Sequence, residues 1–199
     1  EAILCDRIAE SIESGDVVGW YQSRSEWGPR ALGNRSILYQ ATDVSVNKWL
    51  NDRLNRTEFM PFAPAILKER AHDYYRGYRT SEYTTEFMTI TYDVTERCKK
   101  EAPAIVHVDS TARPQVVSEK TNPSFYRVLK AYEQLTGYPQ LINTSFNMHE
   151  EPIVCTPSDA VRAFQKGHLD ILAIGSYTVE HPASKGRASK HTEAILQEI

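Results

Sequence analysis

The sequence predicts an α/β fold, a twisted, mixed β-sheet flanked by helices. Two observations carry this. Apolar residues recur at helical spacing in some segments and form short continuous runs in others. The two kinds of segment alternate along the chain, as they do when helices pack on a sheet, but too loosely for a purely parallel sheet.

In chain order, Ala2, Ile3, Ile8 and Ile12 make a helical stripe that Gly15-Asp16 stops. Residues 17–22 follow as a buried strand. Residues 36–41 (SILYQA) read as a second strand, and Asp43 as the N-cap of a helix carrying Val46, Trp49, Leu50 and Leu54. In FMPFAPAIL, residues 59–67, Pro61 and Pro64 exclude a helix and argue against a central place in the sheet. Residues 68–76 read as a short helix, 86–94 (EFMTITYDV) as an alternating strand, and 104–110 (AIVHVDS) as a strand ending in polar residues. Residues 123–136 carry Pro at their start, Phe125, Leu129, Tyr132 and Leu135 on one face and Gly137 at their end, a complete helix signature. PQLINTS is the next strand; a helix capped by Thr156 or Ser158 then runs through Val161 and Phe164 to Gly167. DILAIG, residues 170–175, is an apolar strand that YTVE continues or pairs with. Residues 181–199 read as a mobile tail before a terminal helix, and no internal repeat is present.

Composition bounds the function. The chain has 199 residues, 41% hydrophobic and 25% charged, which suits one domain with a sizeable core. A formal charge of -3 and a pI near 6.1 give no general attraction to nucleic acid or anionic lipid, so neither partner is expected. Any basic function belongs to a local cluster. Cys5, Cys98 and Cys155 are odd in number and far apart, which argues against a disulfide framework or zinc site and fits a reducing cytoplasm. No apolar run approaches the ~20 residues of a membrane-spanning helix. The first residues are helical and acidic, unlike a signal peptide, and lack an initiator Met, so the chain is expected to be part of a longer protein.

Four passages share one design, an apolar strand delivering the chain to a cluster of Arg, Ser, Thr, Asn and Gly: SEWGPRALGNRS (25–36), NRTEFMPFAP (55–64), HVDSTARP (107–114) and NTSFN (143–147). Arginine forks bind phosphate or carboxylate oxygens bidentately, and hydroxyls, amides and backbone N–H groups complete an oxyanion site. Gly28 and Gly33 permit unusual backbone geometry around Arg30, and Pro29 stiffens the turn before it. Convergence of the four would make an anion pocket, whereas most arginines in a chain with 26 carboxylates are solvated or ion-paired. The stricter phosphate motifs and GxSxG are absent, so Ser145 suits polar contact with an anion better than nucleophilic attack. His107 and Asp109, two apart on the expected strand, share a face and suit metal binding, acid/base work or a plain hydrogen-bonded pair. His149 beside Glu150 and Glu151 matches no standard metal spacing, and His72 and His168 read as structural. Tyr74, Tyr75, Tyr78 and Tyr83 read as packing or a partner surface.

WGPRALGNRSIL (27–38), RTEFMPFAPAIL (56–67), HVDSTARPQVV (107–117), and NTSFN followed by EPIVCTPSDAVRAF (143–164), in this order, resemble the C-terminal domain of the O-carbamoyltransferases, the group containing nodulation and antibiotic carbamoyltransferases. The resemblance runs over about residues 15–180. It implies a YrdC-like domain over residues 1–180 followed by a tail, similar to the fold that makes threonylcarbamoyl-adenylate for tRNA modification. It further implies that the domain takes carbamoyl phosphate and ATP, with Mg²⁺ on the nucleotide, and forms carbamoyl-adenylate. A covalently linked N-terminal domain holding iron or a similar metal, absent from this chain, would pass the carbamoyl group to an acceptor hydroxyl. Carried onto this sequence, the catalytic residues would be Arg30, Arg56 and Arg113. The substrate- and nucleotide-binding residues would be Arg35, His107, Asn143, Ser145 and Asn147, with no metal ligand in this chain. Leu54 and Met60 stand where many relatives carry Lys and Arg, and Glu150 where they carry Gly. A non-catalytic phosphate-binding or scaffolding domain stays open as the alternative, as does a homodimer.

Overall fold

A computed structural model of the chain describes residues 2–55 and 61–182. The stripe of Ile8 and Ile12 builds α1 (Ala2–Glu13), and the run after Gly15 becomes β1 (Val18–Tyr21). β2 (Arg35–Gln40), α2 (Val46–Arg53) and β3 (Ala63–Leu67) follow. Short elements fill the middle: α3 (Ala71–Tyr74), α4 (Glu82–Thr85), β4 (Tyr92–Asp93), α5 (Glu96–Glu101), β5 (Thr111–Ala112) and β6 (Gln115–Val117). α6 (Pro123–Thr136), β7 (Gln140–Ser145), α7 (Pro157–Lys166), β8 (Ile171–Ile174) and β9 (Tyr177–Glu180) complete the described chain.

Seven strands form one sheet in the order β6-β3-β7-β2-β1-β8-β9. β1 runs parallel to β8 and β3 parallel to β6, and the other neighbours are antiparallel, so the sheet is mixed as expected. Alternate residues feed two cores. Leu38, Leu141 and Trp20 pack under α1 and α6 with Ile8, Ile12, Phe125 and Leu129. Ile37, Ile142 and Phe146 pack on the other face with Leu50, Tyr74 and Phe164. Each fully buried large apolar side chain contributes about 1.5–3 kcal/mol, so the layers on both faces of the sheet fix its position.

The helix ends follow local chemistry. The Asn122 side chain accepts the Phe125 N–H, Pro123 opens α6, and Gly137 closes it at φ 79°. Thr156 and Asp159 form a reciprocal capping box on α7. α2 is capped two residues later than expected: Ser45 holds the cap position, and Asp43 Oδ1 accepts its N–H and its hydroxyl at 2.9 and 2.6 Å.

Three expectations change. Pro64 does enter the sheet, in a strand paired on both sides. Leu67 N–H donates to Pro139 O of the chain leading into β7, and by alternation the Pro64 nitrogen points to the β6 side, where pairing begins only at Ala65. The ring therefore removes no ladder bond. Residues 86–94 do not form one strand. Met88 takes φ 54° and the Thr89 hydroxyl donates to Thr84 O, so a turn consumes the segment until Tyr92 and Asp93 pair with β5. Residues 104–110 form a 3-10 turn at Pro103–Ile105 and then a tight turn in which Ser110, at φ 64°, donates to His107 O. His107 and Asp109 therefore sit in a turn, and the strands lie downstream as β5 and β6.

Candidate anion-binding site

Register brings three of the polar passages and the start of β3 to one edge of the sheet. Tyr21 at the end of β1 pairs with Arg35 at the start of β2, and Ser36 pairs with Ser145 at the end of β7. Asn143 pairs with Ala63 at the start of β3, and Ala65 with Gln115 at the start of β6. The loops holding Arg30 and Arg113 and the turn after Ser145 lie at this edge, and β3 begins there. Arg56 itself, like Met60, lies outside the described residues.

The loop after β1 is held by charges turned inward. Glu26 Oε1 accepts the backbone N–H groups of Leu32, Asn34 and Arg35 at 2.9, 2.6 and 3.1 Å. The Arg35 side chain, 3% exposed, stacks on the Tyr21 ring at 3.6 Å. Its guanidinium donates to the carbonyls of Gln22, Ser23 and Asn34 at 2.5, 3.0 and 2.9 Å. Arg35, expected as a phosphate ligand, thus holds the loop's carbonyls while Glu26 holds its amides. Trp20 Nε1 donates to Gly33 O at 2.8 Å, and Gly33 takes φ 97° against the Phe125 ring.

Asn143 and Gln115 join this loop to the neighbouring strands. Asn143 is buried; its amide donates to Ala31 O at 3.2 Å and to Gln115 Oε1 at 2.7 Å, and the Gln115 amide donates to Leu32 O at 2.7 Å. Asn143 Oδ1 is buried with no hydrogen-bond partner. Ser145 Oγ donates to Asn147 Oδ1 at 2.8 Å, and the Asn147 amide to Glu151 O at 2.7 Å, so these two shape the turn after β7.

Against this scaffold stand the two arginines that the loops present. Arg30 is exposed, and Arg113 is half-buried with its Nε enclosed and unpaired. Burial, and then the nearby Arg30 cation, push the Arg113 pKa down. Among the described residues neither arginine has a carboxylate partner, unlike Arg53, Arg70, Arg97 and Arg162. Two guanidinium groups within electrostatic reach of one another and without a carboxylate partner suit an anion site. His107 belongs to the same group. Its Nδ1 lies 3.1 Å from Thr111 Oγ1, whose proton goes to Asp109 Oδ1 at 2.7 Å, so Nδ1–H is the donor and Nε2 carries the lone pair. Burial lowers the His107 pKa; Asp109 opposes this and Arg113 adds to it.

Two of the three departures from the expected pattern have a structural account. Leu54 is 1% exposed and part of the core, so no basic residue could take that place without rebuilding it. Glu150 adopts φ 60°, the left-handed geometry that suits Gly, and its side chain is 86% exposed. Its carboxylate is carried into solvent. Glu26, Gln115 and Asn122, whose amide reaches Leu32 O and Gly33 O at 3.4 and 3.3 Å, are the members of the site's frame that sequence reasoning missed. Glu26 lay inside the quoted motif, but nothing in a sequence shows which amides a carboxylate will find.

Elsewhere, a cavity of about 470 Å³ is lined by Leu4, Arg7, Trp20, Gln22, Ser124 and Thr178 among others; none of the expected site residues lines it. No cluster of three or more His, Cys, Asp or Glu that could hold a metal occurs among the described residues. No described helix is long and apolar enough to cross a membrane.

The solved structures to which the fold is similar include full-length HypF in its phosphate- and nucleotide-bound form. It matches with a TM-score of 0.62 at 18% identity, covering 86% of this chain and 25% of that one. A variant of P. abyssi Sua5 matches at 0.59 and 11%, covering 88% and 46%. Both likenesses show a YrdC-like fold. Nodulation protein NolO of Bradyrhizobium diazoefficiens is 43% identical over 190 residues, covering 91% of this chain and 33% of the relative. Nodulation protein NolNO of Sinorhizobium fredii is 41% identical over 178 residues, covering 89% and 26%. The chain thus spans between a quarter and a third of these relatives' length. The family described as Carbamoyltransferase C-terminus matches residues 9–181, nearly the whole described chain, and the chain belongs to that family.

Proposed function

We propose that this domain binds carbamoyl phosphate and Mg-ATP and forms carbamoyl-adenylate, within a longer transferase whose other part delivers the carbamoyl group to an acceptor hydroxyl. The observation that carries the reading is the counter-ion-free pair Arg30 and Arg113 at the sheet edge of a carbamoyltransferase-family chain. That the HypF neighbour was captured with phosphate and nucleotide supports it by fold likeness.

The chemistry asks for charge stabilisation and alignment. Hydrolysis of carbamoyl phosphate yields carbamate and inorganic phosphate. A carbamate oxygen then attacks the α-phosphorus of ATP, the bond from that phosphorus to the bridging oxygen breaks, and pyrophosphate leaves. Negative charge accumulates on phosphoryl oxygens throughout, so no protein nucleophile is needed and aligned guanidinium groups supply much of the stabilisation. Arg30 and Arg113 are assigned that role, with Arg56 joining them from the next motif. His107, Ser145 and Asn147 are assigned to the ligand's remaining oxygens, and Arg35 and Asn143 to the frame that presents Arg30. Mg²⁺ enters as part of Mg-ATP.

Isothermal titration of the chain with carbamoyl phosphate and with Mg-ATP tests the binding step; absence of heat for both, with the fold intact, would reject it. Exchange of labelled pyrophosphate into ATP, dependent on carbamoyl phosphate, separates an adenylate-forming domain from a non-catalytic scaffold. Only the former incorporates label.

A further inference from the structure

We propose that Glu26 is the positioning residue for Arg30: its carboxylate fills the amide nest of its own loop and so holds Arg30 in place on the loop before any ligand arrives. The inference rests on the reading that Arg30 binds the anionic ligand, and it adds a residue which that reading does not use.

Three backbone N–H groups that converge on one point normally make a binding site for an external anion. Here one oxygen of Glu26 occupies that point, taking the N–H groups of Leu32, Asn34 and Arg35 within 3.1 Å. The chain between the carboxylate and its amides is residues 27–31, so the three bonds close a short ring with Arg30 on its rim. Gly28 at φ 114° and Gly33 at φ 97° supply the left-handed turns that such a ring needs.

The ring answers a physical problem. Arg30 and Arg113 repel one another, and an exposed loop bearing one of them would swing away unless restrained. Arg35 restrains the opposite polarity of the loop, gripping the Gln22, Ser23 and Asn34 carbonyls from inside. Asn34 is held through both its N–H and its C=O. With the N–H groups of Leu32, Gly33, Asn34 and Arg35 already taken, that stretch of the loop offers a ligand phosphate the Arg30 side chain rather than a backbone cradle. A held arginine loses less entropy on gripping an anion than a free one does.

The test is a double-mutant cycle read by isothermal titration of the 199-residue chain with carbamoyl phosphate, using wild type, Glu26→Ala, Arg30→Ala and the double variant. Thermal denaturation confirms that each is folded. If Glu26 acts through Arg30, Glu26→Ala weakens binding about tenfold in the wild-type background and by less than about twofold in the Arg30→Ala background. Glu26→Gln, which keeps an oxygen acceptor, binds with intermediate affinity and carries the cycle if Glu26→Ala does not fold. Equal losses in both backgrounds would mean that Glu26 supports the domain at large, and no loss in either would mean that the ring positions nothing; each overturns the proposal. Loss of affinity in Arg30→Ala without any in Glu26→Ala would overturn this inference alone. Unchanged affinity in Arg30→Ala would instead reject the parent reading, and this inference with it.

Discussion

Arg113 lies within electrostatic reach of Arg30, and neither guanidinium meets a carboxylate among the described residues. Such a pair costs the empty fold its mutual repulsion and, at Arg113 Nε, a buried donor without a partner. A bound anion reverses both costs. Replacing Arg113 by Ala therefore has opposite effects on stability and binding: the melting temperature holds or rises by a few degrees, while affinity for carbamoyl phosphate falls about 10- to 100-fold, the worth of a charge-assisted hydrogen bond. Thermal denaturation beside titration calorimetry measures both. A fall in melting temperature with affinity unchanged would make Arg113 a structural residue.

Gly33 is fixed by two independent constraints. Its φ of 97° is open to few side chains, and a Cβ there would lie 2.2 Å from Phe125 Cδ1 and 2.7 Å from Cγ. Gly33→Ala must strain the backbone and displace a core ring at the start of α6, for a loss of about 2–4 kcal/mol in chemical denaturation. Gly28→Ala is the internal control. At φ 114° it meets nothing within 4 Å, so it carries the backbone cost alone, about 1 kcal/mol. Equal losses at the two positions would show that Phe125 moves aside freely.

α6 and α7 were legible because stripe, cap and stop agree within one segment, and α1 because its stripe runs into the Gly15 stop. β4, β5 and β6 were not, since strands of two or three residues carry no period to detect. Pro64 misled for a related reason: proline excludes a ladder bond only on the side its nitrogen faces, and register decides that side. The candidate arginines were singled out by their neighbours in sequence, but which way each side chain faces was not legible there. Arg30 and Arg35 stand five apart in one motif, yet burial and the Tyr21 ring turn Arg35 inward while Arg30 stays outside. That outcome depends on contacts between β1 and β2, which no local pattern encodes.

Trp27 stands three residues before Arg30 and is 101% exposed, whereas Trp20 is 1% exposed and hydrogen-bonded to Gly33. An indole in water emits to the red and is open to collisional quenchers. Trp27→Phe should remove the most readily quenched component of the fluorescence, leaving that of half-buried Trp49, and keep stability within about 0.5 kcal/mol of wild type, because no packing is lost. A larger loss would mean that Trp27 is packed in solution.

His107 ties stability and binding to pH. Burial, with Arg113 acting in the same sense and Asp109 against it, holds its pKa below the ordinary 6.5, so the folded chain keeps it neutral where the unfolded chain takes up a proton. The unfolded state thus binds more protons from about 6.5 down to the depressed folded value. Stability falls as pH drops through that window and is unaffected by His107 above it. His107→Asn should flatten this part of the stability profile, measured by denaturation between pH 7 and pH 5. An anion at Arg113 cancels part of the cationic field that depresses the histidine, so ligand binding should raise its pKa and draw in a proton near pH 6. Titrations of carbamoyl phosphate in two buffers of different ionisation enthalpy measure that uptake. Wild type should exceed His107→Asn by a measurable fraction of a proton; identical uptake in the two would place His107 outside the ligand's electrostatic reach.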